Sequence, residues 1–150
     1  MKKFKFSLDS VLSYKQQVLD ALKGEHAVIL AQVREQEAVL EAVWQEYRDC
    51  NEEFRQRKAE GITITDAMFY QNGLRVLERD IQRETDKLEE LKKQEEAKRQ
   101  EVVDAKIDTS SIEKLKEHKL EDYNKAVQKA EENLIDEFVS SARARANIGA

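Results

Sequence analysis

Apolar side chains return every seven residues along the first third of the chain. One set runs Leu12, Leu19, His26, Val33, Leu40, Tyr47 and Phe54, and its companion runs Leu8, Lys15, Leu22, Ile29, Gln36, Val43 and Cys50. Two interleaved sets at this spacing form one stripe along a helix, the pattern by which a helix winds on a partner. Lys15, His26 and Gln36 interrupt the stripe, and polar residues at such positions help fix its register. The pattern predicts a helix over about residues 7–58. At about 1.5 Å per residue this is a rod of roughly 75 Å.

The repeat stops in "RKAEGITITDAMFYQNG". Gly61 is a helix stop, and Ile62, Thr63, Ile64 and Thr65 are β-branched, which predicts a turn at about 59–65. Thr65 followed by Asp66 resembles a helix start, with an oxygen cap and an acid in the first turn. Asn72-Gly73 is a rival turn, but the first stripe already ends at Phe54. A second stripe runs Leu74, Leu77, Ile81, Leu88 and Leu91, is interrupted at Glu95 and Lys98, and resumes at Val102, Ala105 and Ile112. It predicts a second helix over about 66–146.

Folding about that turn predicts an all-α protein: one domain over 1–150, a long antiparallel two-stranded coiled-coil hairpin with an overhanging C-terminal helix. If facing numbers sum to about 124, Leu19 meets Ala105, Leu22 meets Val102, Leu40 meets Glu84 and Val43 meets Ile81; sums of 117 or 131 would also match the two stripes. His26 then faces Lys98, and Ile29 faces Glu95. Beyond Ile112 the stripe shifts to Leu120, Tyr123, Val127, Ala130, Leu134 and Phe138, the mark of a stutter. Ser110 with Glu113 makes a capping box, so a kink is expected near 108–119. After about residue 120 the first helix offers no partner.

Composition agrees with long helices. Charged residues are 38% of the chain, there is no proline, and there are only four glycines. The net charge of −5 is unevenly placed. Residues 1–23 carry five lysines against Asp9 and Asp20, and 139–150 carry Arg143 and Arg145 with no acid. These ends stand at +3 and +2, which leaves −10 for 24–138. An acidic middle argues against broad nucleic-acid binding, which needs a basic stripe. No window approaches the eighteen apolar residues of a membrane span, and "SLDSVLSYKQQ" breaks any signal core. The lone Cys50 suits a reducing compartment, so a cytoplasmic location is expected.

Little points to catalysis. His26 lies on the stripe and His118 in a polar stretch, with no second ligand at metal spacing. Cys50 is a stripe residue without an activating histidine, and no phosphate loop exists. Neither an enzyme nor a cofactor or metal protein is expected.

The apolar surface is wider than one facing helix covers. Val11, Val18 and Val39 flank one side of the first stripe, and Leu30 and Trp44 the other. That excess predicts a docking surface for another protein, with Trp44 as one anchor; wide-stripe packing or self-association is the alternative. The hairpin also brings both basic ends together. Lys2, Lys3, Arg143 and Arg145 would steer a partner, while Phe4, Phe6, Leu8, Leu12, Tyr123, Val127, Leu134 and Phe138 supply apolar contact. As a free arm, Lys2, Lys3, Lys5, Phe4 and Phe6 would instead bind membranes or nucleic acid, with steep salt dependence.

Three segments in order, "FKFSLDSVLSYKQQ", "GITITDAMFYQNGLRVLERDI" and "KLKEHKLEDYNKAVQKAEENLIDEF", resemble the flagellar export protein FliJ family over nearly the whole length. The resemblance implies a non-enzymatic stalk of the flagellar type III export apparatus. It would enter and stimulate the ring of the export ATPase FliI, contact the gate protein FlhA, and engage export chaperones. It further implies a peripheral position at the cytoplasmic face of the inner membrane. The positions matching the gate-docking surface are Gln36, Leu40, Val43, Tyr47 and Leu77. A generic structural coiled coil, or a chaperone-like adaptor without an ATPase partner, would share the periodicity.

Overall fold

The computed structural model describes residues 2–149 and is all-helical, with α1 spanning Asp9–Glu60 and α2 spanning Ile64–Ile148. The helices are 52 and 85 residues long. The Asp9 amide donates to the Phe6 carbonyl at 3.1 Å, and Asp9 places an acid at the positive end of α1. Arg57 and Lys58 lie in its last turn, where cations suit the dipole.

The connection is three residues long and begins at Gly61, whose φ of 100° is a conformation that L side chains rarely adopt. The cap of α2 is Thr63, not Thr65: its Oγ1 accepts from the Asp66 amide at 3.1 Å, and its carbonyl accepts from the Ala67 amide at 2.9 Å. Ile64 and Thr65 are therefore helical in spite of their branching. A cap is worth about 1 kcal/mol, more than the few tenths by which a β-branched residue disfavours a helix.

The helix then passes through Asn72-Gly73 and through 108–119 without interruption. The capping box expected at Ser110 and Glu113 does not form. Thr109 and Ser111 instead donate to the carbonyls of Ala105 and Ile107, at 2.8 and 2.9 Å, inside a continuing helix.

Two compact units divide the chain: Asp20–Asp104, and Met1–Leu19 together with Ala105–Ala150. In the first, every position of both α1 sets from Leu22 to Phe54 is buried or half-buried, as are Leu74, Leu77, Ile81, Leu88, Leu91, Glu95, Lys98 and Val102 on α2. Rising numbers on α1 meet falling numbers on α2. Glu25 pairs with Lys98 (2.9 Å), His26 with Glu95 (2.9 Å), Gln36 with Glu84 (2.6 Å) and Glu53 with Tyr70 (3.0 Å).

Glu25–Lys98 and Glu53–Tyr70 keep close to the expected register, and two polar contacts reach about one helical turn to the side of it. His26 hydrogen-bonds Glu95, although Lys98 is expected opposite it, and the amide of Gln36 reaches Glu84. The cause is polar: an imidazole and an amide find carboxylates, while Lys98 lays its stem on the stripe and its ammonium reaches the edge at Glu25.

In the second unit Lys15 meets Asp108 (3.4 Å), Asp9 meets Lys116 (2.8 Å), and the Tyr123 hydroxyl donates to the Lys2 carbonyl (2.6 Å). Covered α2 positions keep their seven-residue phase through Thr109, Lys116 and Tyr123. The stutter expected after Ile112 is thus absent up to Tyr123, and Leu120 is exposed. From Gln128 to Gly149 every residue is exposed.

Candidate docking surfaces

Of the positions matched to gate docking, five lie on the covered stripe. Leu40, Val43, Tyr47 and Leu77 are half-buried, and Gln36 is also half-buried, its amide donating to the Glu84 carboxylate and to the Glu84 carbonyl at 3.1 Å. Trp44, the anchor expected from the width of the apolar face, differs from these five. It is 40% exposed and stands edge-on to Tyr47, with ring centroids 5.8 Å apart. A partner here would find Trp44 directly and only the edges of its neighbours. Val11 and Val39 are similarly exposed, whereas Val18 and Leu30 are half-buried.

The terminal surface divides in two. Phe6 and Leu12 are buried, and Phe4 and Leu8 half-buried; Phe4 packs on Tyr123 at 5.6 Å between centroids. Tyr123 and Val127 are also half-buried, and the Phe4–Tyr123 contact ties the N-terminal segment to α2. Lys2, Lys3, Leu134, Phe138, Arg143 and Arg145 are exposed. Leu134 and Phe138 lie one turn apart on one face, with Ile135 and Val139 beside them.

Among the described residues no group of His, Cys, Asp and Glu has the geometry of a metal site. Cys50 is half-buried, and its surroundings together with the Glu53 carboxylate push its thiol above the usual range, away from thiolate reactivity. His26 is engaged with Glu95, and His118 is exposed. No helix of the described residues is long and apolar enough to cross a membrane.

A family model described as Flagellar FliJ protein matches residues 4–147, both helices and the turn between them. The chain belongs to the flagellar FliJ family. Membership makes it a component of the flagellar export apparatus. No curated protein and no solved structure gives a significant match.

One surface of this FliJ-family chain escapes the seven-residue reading. Ile64, Met68, Phe69 and Val76 are all more than half exposed at the start of α2. The available signal is charge rather than period: "GITITDAMFYQNGL" carries only Asp66, in a chain that is 38% charged.

Proposed function

We propose that this chain is a non-enzymatic stalk and adaptor of the export apparatus, acting as an antiparallel two-stranded coiled-coil hairpin. Its handle is the exposed C-terminal segment, which enters and stimulates the FliI ATPase ring, while the surface around Trp44 contacts the gate protein FlhA. Export chaperones are further partners, and the working position is peripheral, at the cytoplasmic face of the inner membrane.

The observation that carries this reading is the uncovered run Gln128–Gly149. A self-sufficient structural coiled coil has no use for a helix presenting Leu134, Ile135, Phe138 and Val139 to water, because uncovered apolar stripes are where partners bind. Arg143 and Arg145 lie one to two turns further on and would orient approach to an acidic-lined opening. The buried Phe6 and Leu12 serve the handle indirectly, by anchoring the N-terminal segment within the same unit.

The test is stimulation of the purified export ATPase by the full chain and by a chain ended after Val127. The shortened chain keeps the Phe4–Tyr123 contact and should remain helical by circular dichroism, yet lose stimulation. Full stimulation by the shortened chain would place the handle elsewhere.

A further inference from the structure

We propose that the outer face of the first turns of α2 is a docking surface for an anionic lipid membrane. Ala67, Tyr70, Gly73, Leu74 and Leu77 are the covered positions of this segment. Ile64, Met68, Phe69 and Val76 point elsewhere, with Phe69 75% and Ile64 82% exposed. On most helices of this kind the uncovered side is charged. Here four large apolar side chains stand on it among the uncharged Thr65, Gln71 and Asn72, and the only acid between Gly61 and Leu74 is Asp66.

The charge around the patch identifies its occupant. Residues 55–79 hold Arg55, Arg57, Lys58, Arg75 and Arg79 against Glu60, Asp66 and Glu78, a net +2 inside a middle segment that totals −10. Among the described residues, Arg57, Lys58, Arg75 and Arg79 form no salt bridge, whereas Arg48, Arg55, Arg83 and Arg99 all do. Lys58 instead lies over the Phe54 ring, its Nζ 4.2 Å from the centroid. Exposed Phe, Ile and Met beside unpaired cations match an interface of acyl chains below anionic headgroups. The same face of a second copy would bring like charge against like charge. The surface is distinct from the handle proposed above, so vesicle binding and ATPase stimulation should separate.

The experiment uses the full chain carrying Cys50→Ala and Met68→Cys, labelled at residue 68 with an environment-sensitive fluorophore. Phosphatidylcholine vesicles with phosphatidylglycerol should shift its emission to the blue, and vesicles of phosphatidylcholine alone should not. Arg75→Glu with Arg79→Glu should lower the bound fraction about tenfold or more, as for loss of cations at an anionic surface. Phe69→Ser should remove the shift without loss of helicity or of ATPase stimulation, since the side chain is exposed. Absence of vesicle binding would overturn the proposal. So would a shift seen only from a label at Ser7→Cys, which would assign lipid contact to the N-terminal lysines.

Discussion

Gln36 donates twice to Glu84, through Nε2 to the carboxylate at 2.6 Å and to the backbone carbonyl at 3.1 Å, so one amide satisfies two acceptors on the neighbouring helix. Glu84 is among the most buried charged residues, and the Gln36 hydrogen bond, helped by Lys87 and Arg83, holds its carboxyl below the usual range. A depressed folded value means that this stabilisation is full above the ordinary carboxylate value and is lost as pH falls through the folded one. Thermal melts should therefore show Gln36→Leu destabilised at neutral pH and closer to wild type in acid. Replacing both residues by leucine should instead raise the melting temperature, because a paired polar layer is exchanged for an apolar one.

Glycine offers a test of opposite signs. A Cβ at Gly24 would meet nothing within 4 Å, and one at Gly73 would meet only the Cys50 Sγ at 3.9 Å, an ordinary contact. Gly24→Ala and Gly73→Ala should each stabilise by about 1 kcal/mol in chemical denaturation, the helix-propensity difference. At Gly61 the backbone φ of 100° reverses the outcome, and Gly61→Ala should cost about 1–2 kcal/mol.

Near the turn, Phe54 and Tyr70 stack with centroids 5.3 Å apart and ring planes within 6°. Phe54 is buried, so Phe54→Ala should cost about 3 kcal/mol. Burial and the hydrogen bond to Glu53 push the Tyr70 phenol above its usual value. Its contribution is complete below the ordinary tyrosine value and disappears as pH rises through the folded one. Ultraviolet titration should show a late phenol that Tyr70→Phe removes.

Trp44 is the one exposed member of the proposed gate surface. Trp44→Ala should weaken binding to the purified gate domain by about 2 kcal/mol, as for an aromatic anchor, with little change in melting temperature. Calorimetry that finds equal affinity would move the surface away from this stretch. Leu40→Ala is the informative contrast, because a half-buried stripe residue should lower stability as well.

The helices and their covered faces were legible because period seven is a strong signal. Leu12 to Phe54 and Leu74 to Ile112 are covered as the spacing predicts, polar members included. What escaped was decided by short-range competition. The Thr63 cap outweighed the branching of Ile64 and Thr65, and Thr109 and Ser111 turned their hydroxyls inward to helical carbonyls instead of capping a new start. The docking positions are a different case. Gln36, Leu40, Val43, Tyr47 and Leu77 share one periodicity with the stripe, so spacing could not separate residues facing a partner protein from residues facing α2. Phe6 and Leu12 illustrate the same ambiguity at the N-terminal end.

The polar pairs within the unit Asp20–Asp104 also act as a lock against slippage. Apolar stripes repeating every seven residues tolerate a shift of seven almost as well as the true alignment. His26 and Gln36 do not. Moving α2 by seven in either direction replaces Glu95, the partner of His26, with Leu88 or Val102. The same movement replaces Glu84, the partner of Gln36, with Leu77 or Leu91. All four substitutes are apolar, so each slipped state strands an imidazole, an amide and two carboxylates at a half-dry boundary. At about 1–3 kcal/mol for each unmatched group, the misaligned states lie several kcal/mol above the true one. Two interruptions that look like flaws in the stripe thus keep a long helix pair from sliding like a loose zip.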